Sequence, residues 1–221
     1  MATPLRFRSV IFDCDSTLSA IEGIDELSGE RREAVAALTA AAMRGEVPLE
    51  SVYGSRLEMI RPGRAAIEAL GLRYIDAAVP GARDTVHALR ARGVEVRILS
   101  GGIRQAILPL ARWLGLAEAD VAAVDVRFDA DGAYAGFDAG SPLARSGGKR
   151  AAIAAWGAAL PAPILMVGDG VTDLEARPVV HRFVAYAGVV DRPEVTGAAD
   201  GVIGGPSLLP VLDEVFGRGA G

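Results

Sequence analysis

Carboxylates follow two apolar runs of the chain that are typical of buried strands. Asp13 and Asp15 come directly after the run "VIF", and Asp169 and Asp173 lie just beyond the run "ILMV". In a parallel sheet, ligands bind beyond the carboxyl ends of the strands, so we expect the four side chains to meet there. Like charges buried together are unfavourable unless a partner compensates them. A hard divalent cation such as Mg²⁺, which prefers oxygen ligands, is the partner that this pattern predicts.

Groups that suit a phosphate lie at corresponding places in the sequence. Ser100, Gly101 and Gly102 follow the apolar run "VEVRIL", and Lys149 begins the segment before "ILMV". A hydroxyl, a lysine and free main-chain N–H groups can hold the oxygens of a phosphate. One carboxylate can then act as a nucleophile through an aspartyl-phosphate. A second carboxyl two residues further on can protonate the leaving alcohol and then activate water, so the residue types predict phosphoryl transfer.

The elements that must position these residues alternate between strands and helices. The predicted strands are the short apolar runs Val10–Phe12, Val94–Leu99, Val121–Val126, Ile164–Val167, Phe183–Ala187 and Gly201–Ile203. The predicted helices are Asp84–Arg92, Ile103–Leu114, Lys149–Leu160 and Pro206–Phe216. This alternation indicates a parallel sheet covered on both faces. The predicted fold class is therefore α/β, with a Rossmann-like three-layer parallel sheet core.

One segment departs from the alternation. Residues 20–75 contain no convincing strand and have the pattern of successive helices. We predict that residues 1–19 and 76–221 form the core and that residues 20–75 form a helical cap inserted after the first strand. A hairpin is predicted over Val126–Gly140, because its Asp-Gly pair favours a tight turn. A cap at this position is a candidate lid over the strand ends.

Four motifs of the sequence resemble those of the haloacid-dehalogenase-like phosphohydrolases. They are "DCDST", "LSGG", the lysine at position 149 and "GDGVTDLEA". The segments "EGIDEL", "AAMRGEVPLESVYGSRLEMI", "GAYAGFD" and "SGGK" are similar to the members that hydrolyse O-phosphoserine, and the similarity spans about residues 9 to 215. The resemblance implies a Mg²⁺-dependent phosphatase with a Rossmann-like core and a helical cap.

The same resemblance implies a role for each polar residue. Asp13 is expected to be the nucleophile, and Asp15 the general acid and base. Mg²⁺ is expected to bind the carboxylates of Asp13 and Asp169 and the main-chain carbonyl of Asp15, with Asp173 orienting its surroundings. The residues expected to bind the phosphate, or to lie close to it, are Ser100, Gly101, Gly102, Lys149 and Thr172.

The expected substrate follows from charges in the cap. O-Phosphoserine carries an ammonium and a carboxylate beyond its phosphate; Glu22 can pair with the former and Arg56 with the latter. Met43 is interpreted as an apolar wall of the substrate site or as a core residue. Two cap positions depart from the family pattern, since Arg44 stands where glycine is common and Leu49 where phenylalanine is common. Both bear on the choice of substrate more than on the reaction.

Other functions remain open on these residues. A phosphatase of the same superfamily acting on another small phosphomonoester, or a phosphotransferase passing the phosphate to a second alcohol, would use the same motifs. Glu22 and Arg56 argue against a substrate without an amino-acid end. A catalytically inactive binding protein on this fold is the alternative from another class, and the complete set of motif residues argues against it.

Composition limits the partners. The chain has 221 residues and a net charge of −5, and its arginines are scattered, so it lacks the basic patch of a nucleic-acid-binding protein. Gly157, Pro161 and Pro163 interrupt the uncharged stretch 151–168, which argues against a membrane span. The single cysteine, Cys14, excludes an internal disulfide and is interpreted as a small buried residue. We expect a cytoplasmic monomer or homodimer that acts on a small molecule.

Overall fold

A parallel sheet of six strands forms the centre of the protein. A computed structural model describes residues 5–44 and 46–217 of the chain. Within that part the strands of the sheet are β1 (Ser9–Phe12), β2 (Glu95–Ile103), β3 (Val121–Val124), β6 (Ile164–Gly168), β7 (Arg182–Tyr186) and β8 (Gly201–Ile203). Their order across the sheet is β3-β2-β1-β6-β7-β8, and all neighbours are parallel. The predicted α/β fold class is confirmed.

Strand β1 lies between β2 and β6 and is buried along its whole length. Ser9 is aligned with Glu95 of β2 on one side and with Ile164 of β6 on the other. Its β-branched and aromatic side chains suit a strand that is covered on both faces. The residues that follow β1 are therefore held at the middle of the sheet's carboxyl edge.

The helices lie in the layers beside the sheet and in the segment after β1. In chain order they are α1 (Gly23–Glu26), α2 (Arg32–Met43), α3 (Leu49–Ile60), α4 (Arg64–Asp76), α5 (Ala82–Ala91), α6 (Arg104–Trp113), α7 (Gly148–Trp156), α8 (Val171–Leu174), α9 (Pro193–Thr196) and α10 (Val211–Phe216). The predicted last helix was too long, because its regular part begins only after Pro210. A proline has no N–H to donate and fits the start of a helix better than its interior.

Two predicted strands differ from the observed strands by two or more residues at one end. Strand β2 continues through Ser100, Gly101 and Gly102 to Ile103, and its pairing with β3 shifts register between Leu99 and Ile103. The predicted strand Val121–Val126 is divided, because Val126 belongs to β4 (Val126–Phe128). Strand β4 pairs antiparallel with β5 (Tyr134–Phe137), which confirms the predicted hairpin.

The residues after β1 contain helices, as the sequence indicates, and they contact both the hairpin and the core. The ring of Tyr53 on α3 lies 5.3 Å from that of Phe137 on β5. Helix α4 packs closely against α6 of the core, and a methyl group added at Gly71 would lie 2.7 Å from a ring carbon of Pro109. Ser19, just before the predicted cap segment, forms an antiparallel bridge with Ala78, just after it. The two connections between core and cap are therefore joined. The boundaries of the cap stay a prediction.

The uncharged stretch 151–168 contains most of α7 and the whole of β6. Among the described residues, no helix has the length and apolar character that crossing a membrane requires.

Candidate active site

One pocket at the carboxyl edge of the sheet collects most of the residues expected to do chemistry. Its lining includes the sequence-predicted residues Asp13, Asp15, Glu22, Arg56, Ser100, Gly101, Gly102, Lys149, Asp169 and Thr172. The cavity volume is about 30 Å³.

A buried lysine bridges two of the carboxylates. Lys149, in the first turn of α7, places its Nζ 2.8 Å from Asp13 Oδ1 and 2.6 Å from Asp173 Oδ1. Asp13 Oδ1 also accepts a hydrogen bond of 2.7 Å from the main-chain N–H of Cys14. The two carboxylates raise the pKa of Lys149 against the opposing effect of its burial. The lysine is therefore a fixed positive charge beside Asp13.

The carboxylates of Asp13, Asp169 and Asp173 lie close enough together to hold a metal ion. All three are buried, and one oxygen of each lies within 4.8 Å of the others. Burial and the nearby Asp13 raise the pKa of Asp169 to about 6 and that of Asp173 to about 8. The surrounding protein thus compensates these charges only in part.

Two further residues hold Asp169 in place. Thr17, in the turn after Asp15, donates a hydrogen bond of 2.9 Å to Asp169 Oδ1. Arg192, in the loop after β7, contacts Asp169 Oδ2, and its Nη2 lies 3.6 Å from Glu22 Oε1. Arg192 therefore connects the carboxylate cluster to the cap.

The second carboxylate of the "DCD" motif has one oxygen fixed by hydrogen bonds. Asp15 Oδ1 accepts from the Tyr74 hydroxyl at 2.6 Å and from the Gly23 N–H at 2.9 Å. Burial and the neighbouring Asp13 raise the pKa of Asp15 to about 7. A carboxyl group in this range can give and take a proton near neutral pH, as a general acid and base must.

The end of β2 forms a narrow cradle beside Asp15. The Ser100 hydroxyl accepts a hydrogen bond of 2.9 Å from the N–H of Gly102. A methyl group on Gly102 would lie 2.9 Å from Asp15 Oδ2 and 3.1 Å from Ser100 Oγ. Only glycine leaves this space open, so a ligand can approach the backbone closely here.

Glu22 reaches the pocket through the turn that leaves the core. Ser16, with a φ of 51°, reverses the chain, and its hydroxyl donates to Glu22 Oε1 at 2.7 Å. Burial, followed by the charges of Asp15 and Asp169, raises the pKa of Glu22. The uncharged stretch after Asp15 therefore forms a short turn that places the Glu22 carboxylate in the pocket.

Arg56 is buried in the cap and faces the same pocket. Its Nη1 donates to Thr39 Oγ1 at 2.7 Å, and that hydroxyl donates in turn to Asp25 Oδ1 at 2.5 Å. The guanidinium lies 5.6 Å from the ring centre of Tyr53. Its buried Nε has no hydrogen-bond partner within the described part of the chain. Burial lowers the pKa of Arg56, and the nearby Tyr53 and Asp25 oppose that shift.

Three other cap positions were singled out in the sequence, namely Met43, Arg44 and Leu49, and none of them is among the described residues that line the pocket. Arg44 forms an exposed ion pair of 2.7 Å with Glu46. The side chains of Met43 and Leu49 are not among the described residues. Cys14 is fully buried and burial raises the pKa of its thiol, as the interpretation of a small buried residue requires.

Sequence reasoning missed several residues that contact the site. Thr17 and Asp25 lie inside motifs that were recognised, so their positions carried a signal that was not used. Thr39, Tyr74 and Arg192 follow no local pattern. Their side chains contact residues of the site only through the packing of the cap and the loop after β7.

The chain is similar to known proteins in sequence and in fold. The family model described as haloacid dehalogenase-like hydrolase matches residues 7–177. The chloroplastic phosphoserine phosphatase of Arabidopsis thaliana is 39% identical over 200 residues, covering 88% of this chain and 68% of its own. The phosphoserine phosphatase of Bos taurus is 37% identical over 210 residues, covering 93% of each chain. A solved phospho-aspartyl intermediate analogue of phosphoserine phosphatase superposes with a TM-score of 0.76 at 25% identity, covering 94% of this chain and 98% of that one.

Proposed function

The chain belongs to the haloacid dehalogenase-like hydrolases, and on that basis we propose that it is a phosphoserine phosphatase, which hydrolyses O-phosphoserine to serine and phosphate. The observation that carries the proposal is a single pocket in which Asp13 and Asp15 face Glu22 and Arg56. The carboxylates provide phosphoryl-transfer chemistry, and the two cap residues fit the amino-acid end of the substrate.

The reaction needs two steps on two carboxylates. In the first, an oxygen of Asp13 attacks phosphorus, the bond from phosphorus to the serine oxygen breaks, and Asp15 gives its proton to that oxygen. In the second, Asp15 takes a proton from water, which attacks phosphorus and releases phosphate and free Asp13. Lys149, at 2.8 Å from Asp13, stabilises the negative charge that gathers around phosphorus in both steps.

The donor set fits Mg²⁺. Asp13, Asp169 and Asp173 offer only carboxylate oxygens, and their burial leaves negative charge that the protein compensates in part. The carboxylates of Asp13 and Asp169 and the main-chain carbonyl of Asp15 would hold the ion, and Asp173, bound to Lys149, would orient them. When bound, Mg²⁺ supplies positive charge to the phosphate oxygens.

Recognition of the amino-acid end falls to the cap. Arg56 is held by Thr39 and Tyr53 with its Nε unpartnered among the described residues, so it is oriented to bind a carboxylate. Glu22 lies at the other side of the same pocket and suits the ammonium. Because Arg56 and Glu22 both follow β1 in the cap, substrate binding would favour closure over Asp13 and exclude water.

Removal of divalent metal is expected to stop turnover. Phosphate release from O-phosphoserine is measured after exhaustive treatment with EDTA and dialysis, and again after addition of MgCl₂. We expect activity to fall to background and to return with Mg²⁺, because the carboxylate cluster then repels the phosphate. Full activity of the metal-free protein would contradict the proposed cofactor, and NaCl at matched ionic strength controls for salt.

Replacement of Arg56 by lysine is expected to raise KM for O-phosphoserine by about 10- to 30-fold, because an ammonium cannot reproduce the guanidinium's paired hydrogen bonds. Phosphoethanolamine has the ammonium but no carboxylate, so its KM should stay unchanged in R56K. The matched control is Arg83→Lys, an exposed arginine that also stacks on an aromatic ring, Trp113, but lies outside the pocket. Equal effects of R56K on both substrates would contradict the carboxylate role.

The experiment that tests the function itself is phosphate release across a panel of small phosphomonoesters. We expect O-phosphoserine to give the highest kcat/KM. A better substrate without an amino-acid end would favour a different phosphatase, and a fall in phosphate release when a second alcohol is added would favour a phosphotransferase. The proposed reaction is the last step of serine biosynthesis. We propose further that the protein acts in the cytoplasm as a monomer or homodimer.

A further inference from the structure

The side chain of Tyr74 connects the end of the cap to the carboxylate that handles protons. Its hydroxyl donates to Asp15 Oδ1 at 2.6 Å, and the residue is fully buried. Nothing in the sequence around Tyr74 indicates this contact, because the residue lies 59 positions from Asp15 in the chain. The hydrogen bond therefore depends on how α4 is placed.

Helix α4 is fixed from two sides. One face of the helix packs on α6, where Gly71 allows close approach to Pro109. Its main chain is tied to the turn after Asp15, since the Ser19 hydroxyl donates to the carbonyl of Tyr74 at 3.0 Å. Tyr74 is thus held against the same turn that carries Asp15.

The Tyr74 side chain leaves no room for a side chain at position 23, where the residue is Gly23. A methyl group at position 23 would lie 1.9 Å from the Tyr74 hydroxyl oxygen. With no side chain there, the Gly23 N–H and the Tyr74 hydroxyl both reach Asp15 Oδ1. Because both groups donate to Oδ1, the other carboxylate oxygen, Asp15 Oδ2, accepts neither hydrogen bond. It faces the glycine cradle beside Gly102.

We propose that Tyr74 is a positioning residue that holds Asp15 with Oδ2 directed at the leaving-group oxygen of the substrate. This inference rests on the proposed function. Because Oδ1 already accepts two hydrogen bonds, the proton that passes to the serine oxygen is carried on Oδ2. Without the tyrosine hydroxyl, the carboxyl group can rotate and that proton leaves the line to the scissile bond.

The test is Tyr74→Phe, which removes one oxygen and keeps the ring. We expect kcat for O-phosphoserine to fall by about 10- to 100-fold, with KM within about twofold. The matched control is Tyr186→Phe, because Tyr186 is equally buried and its hydroxyl has no hydrogen-bond partner among the described residues. It should leave kcat unchanged.

A second substrate separates proton delivery from a general structural effect. Acetyl phosphate releases acetate, which needs no proton to leave, so formation of the phosphoenzyme from it should be unaffected in Y74F. The rates of phosphoenzyme formation from both substrates are measured by rapid quench with enzyme in excess, and melting temperatures are compared. A slow first step with O-phosphoserine alone supports the inference.

Three results would overturn the inference. They are an unchanged kcat in Y74F, an equal slowing of the first step with both substrates, and a loss of activity that follows a lower melting temperature. Inactivity of the unmodified protein on O-phosphoserine would instead contradict the proposed function. An active protein whose Y74F variant is equally active contradicts the inference alone.

Discussion

Asp13→Asn is expected to lower kcat for O-phosphoserine by at least about 10⁴-fold, to the background of the assay. An amide is a poor nucleophile, so the aspartyl-phosphate cannot form. The shape of the side chain is retained, and Lys149 keeps its contact with Asp173 at 2.6 Å. The fold should therefore survive the substitution.

Binding and chemistry separate in this variant. The amide oxygen of asparagine can still bind Mg²⁺, and removing one negative charge reduces repulsion of the phosphate, so D13N should bind O-phosphoserine at least as tightly as the unmodified protein, as measured by calorimetry in Mg²⁺. Acid-quenched D13N should contain no phosphoenzyme. Turnover within tenfold of the unmodified protein would contradict the assignment of Asp13 and require another nucleophile.

Lys149→Met is expected to have the second largest effect, because it damages both the reaction and the fold. The lysine lies between Asp13 and Asp173, and all three are buried. Breaking a buried ion pair by removing one partner costs about 3–5 kcal/mol of stability. Loss of the charge beside phosphorus should lower kcat by about 10³-fold.

The stability loss should depend on pH in a definite direction. The pKa of Asp173 is already raised to about 8 with Lys149 present, and removing the cation raises it further. A carboxyl group whose pKa is raised by folding makes the folded state less stable as the pH rises from the unfolded value to the raised one. The higher pKa of Asp173 in K149M extends this loss to higher pH, so K149M should lose more stability, relative to the unmodified protein, at pH 9 than at pH 6.

Urea unfolding without added metal measures this difference. Arg150→Met is the matched control, since Arg150 is the exposed neighbour on the same helix and its loss changes the net charge equally. A stability loss no greater than that of R150M, or one that grows as the pH falls, would contradict the role given to Lys149.

The sequence indicated the core and the motif residues well, because both depend on local pattern. Asp13 and Asp169 each end a short apolar strand, and in a parallel sheet such strand ends share one edge. The helical nature of the segment after β1 was also evident from its periodicity. Local patterns of this kind predict the type of one chain segment and the edge of the sheet at which it ends.

Contacts between distant segments were not accessible in the same way. Tyr74 reaches Asp15 because α4 packs on α6, and Arg192 reaches Asp169 from the loop after β7. Neither position has a neighbouring motif, and each contact is fixed by tertiary packing. Strand ends such as that of β2 were missed for a related reason, since the partner strand β3, and not the local sequence, determines how far pairing continues.

The central place of β1 also determines how fast its amide protons exchange with solvent. Strand β1 is buried and hydrogen-bonded to β2 on one side and β6 on the other, so its amides become accessible only when the sheet itself separates. Helix α2 packs mainly on α1 and α3 of the same segment, and such peripheral units open with less free energy than the whole domain. We therefore expect the amide of Asp13, which bonds the Val167 carbonyl of β6, to be among the slowest to exchange, and the amides of α2 to exchange faster.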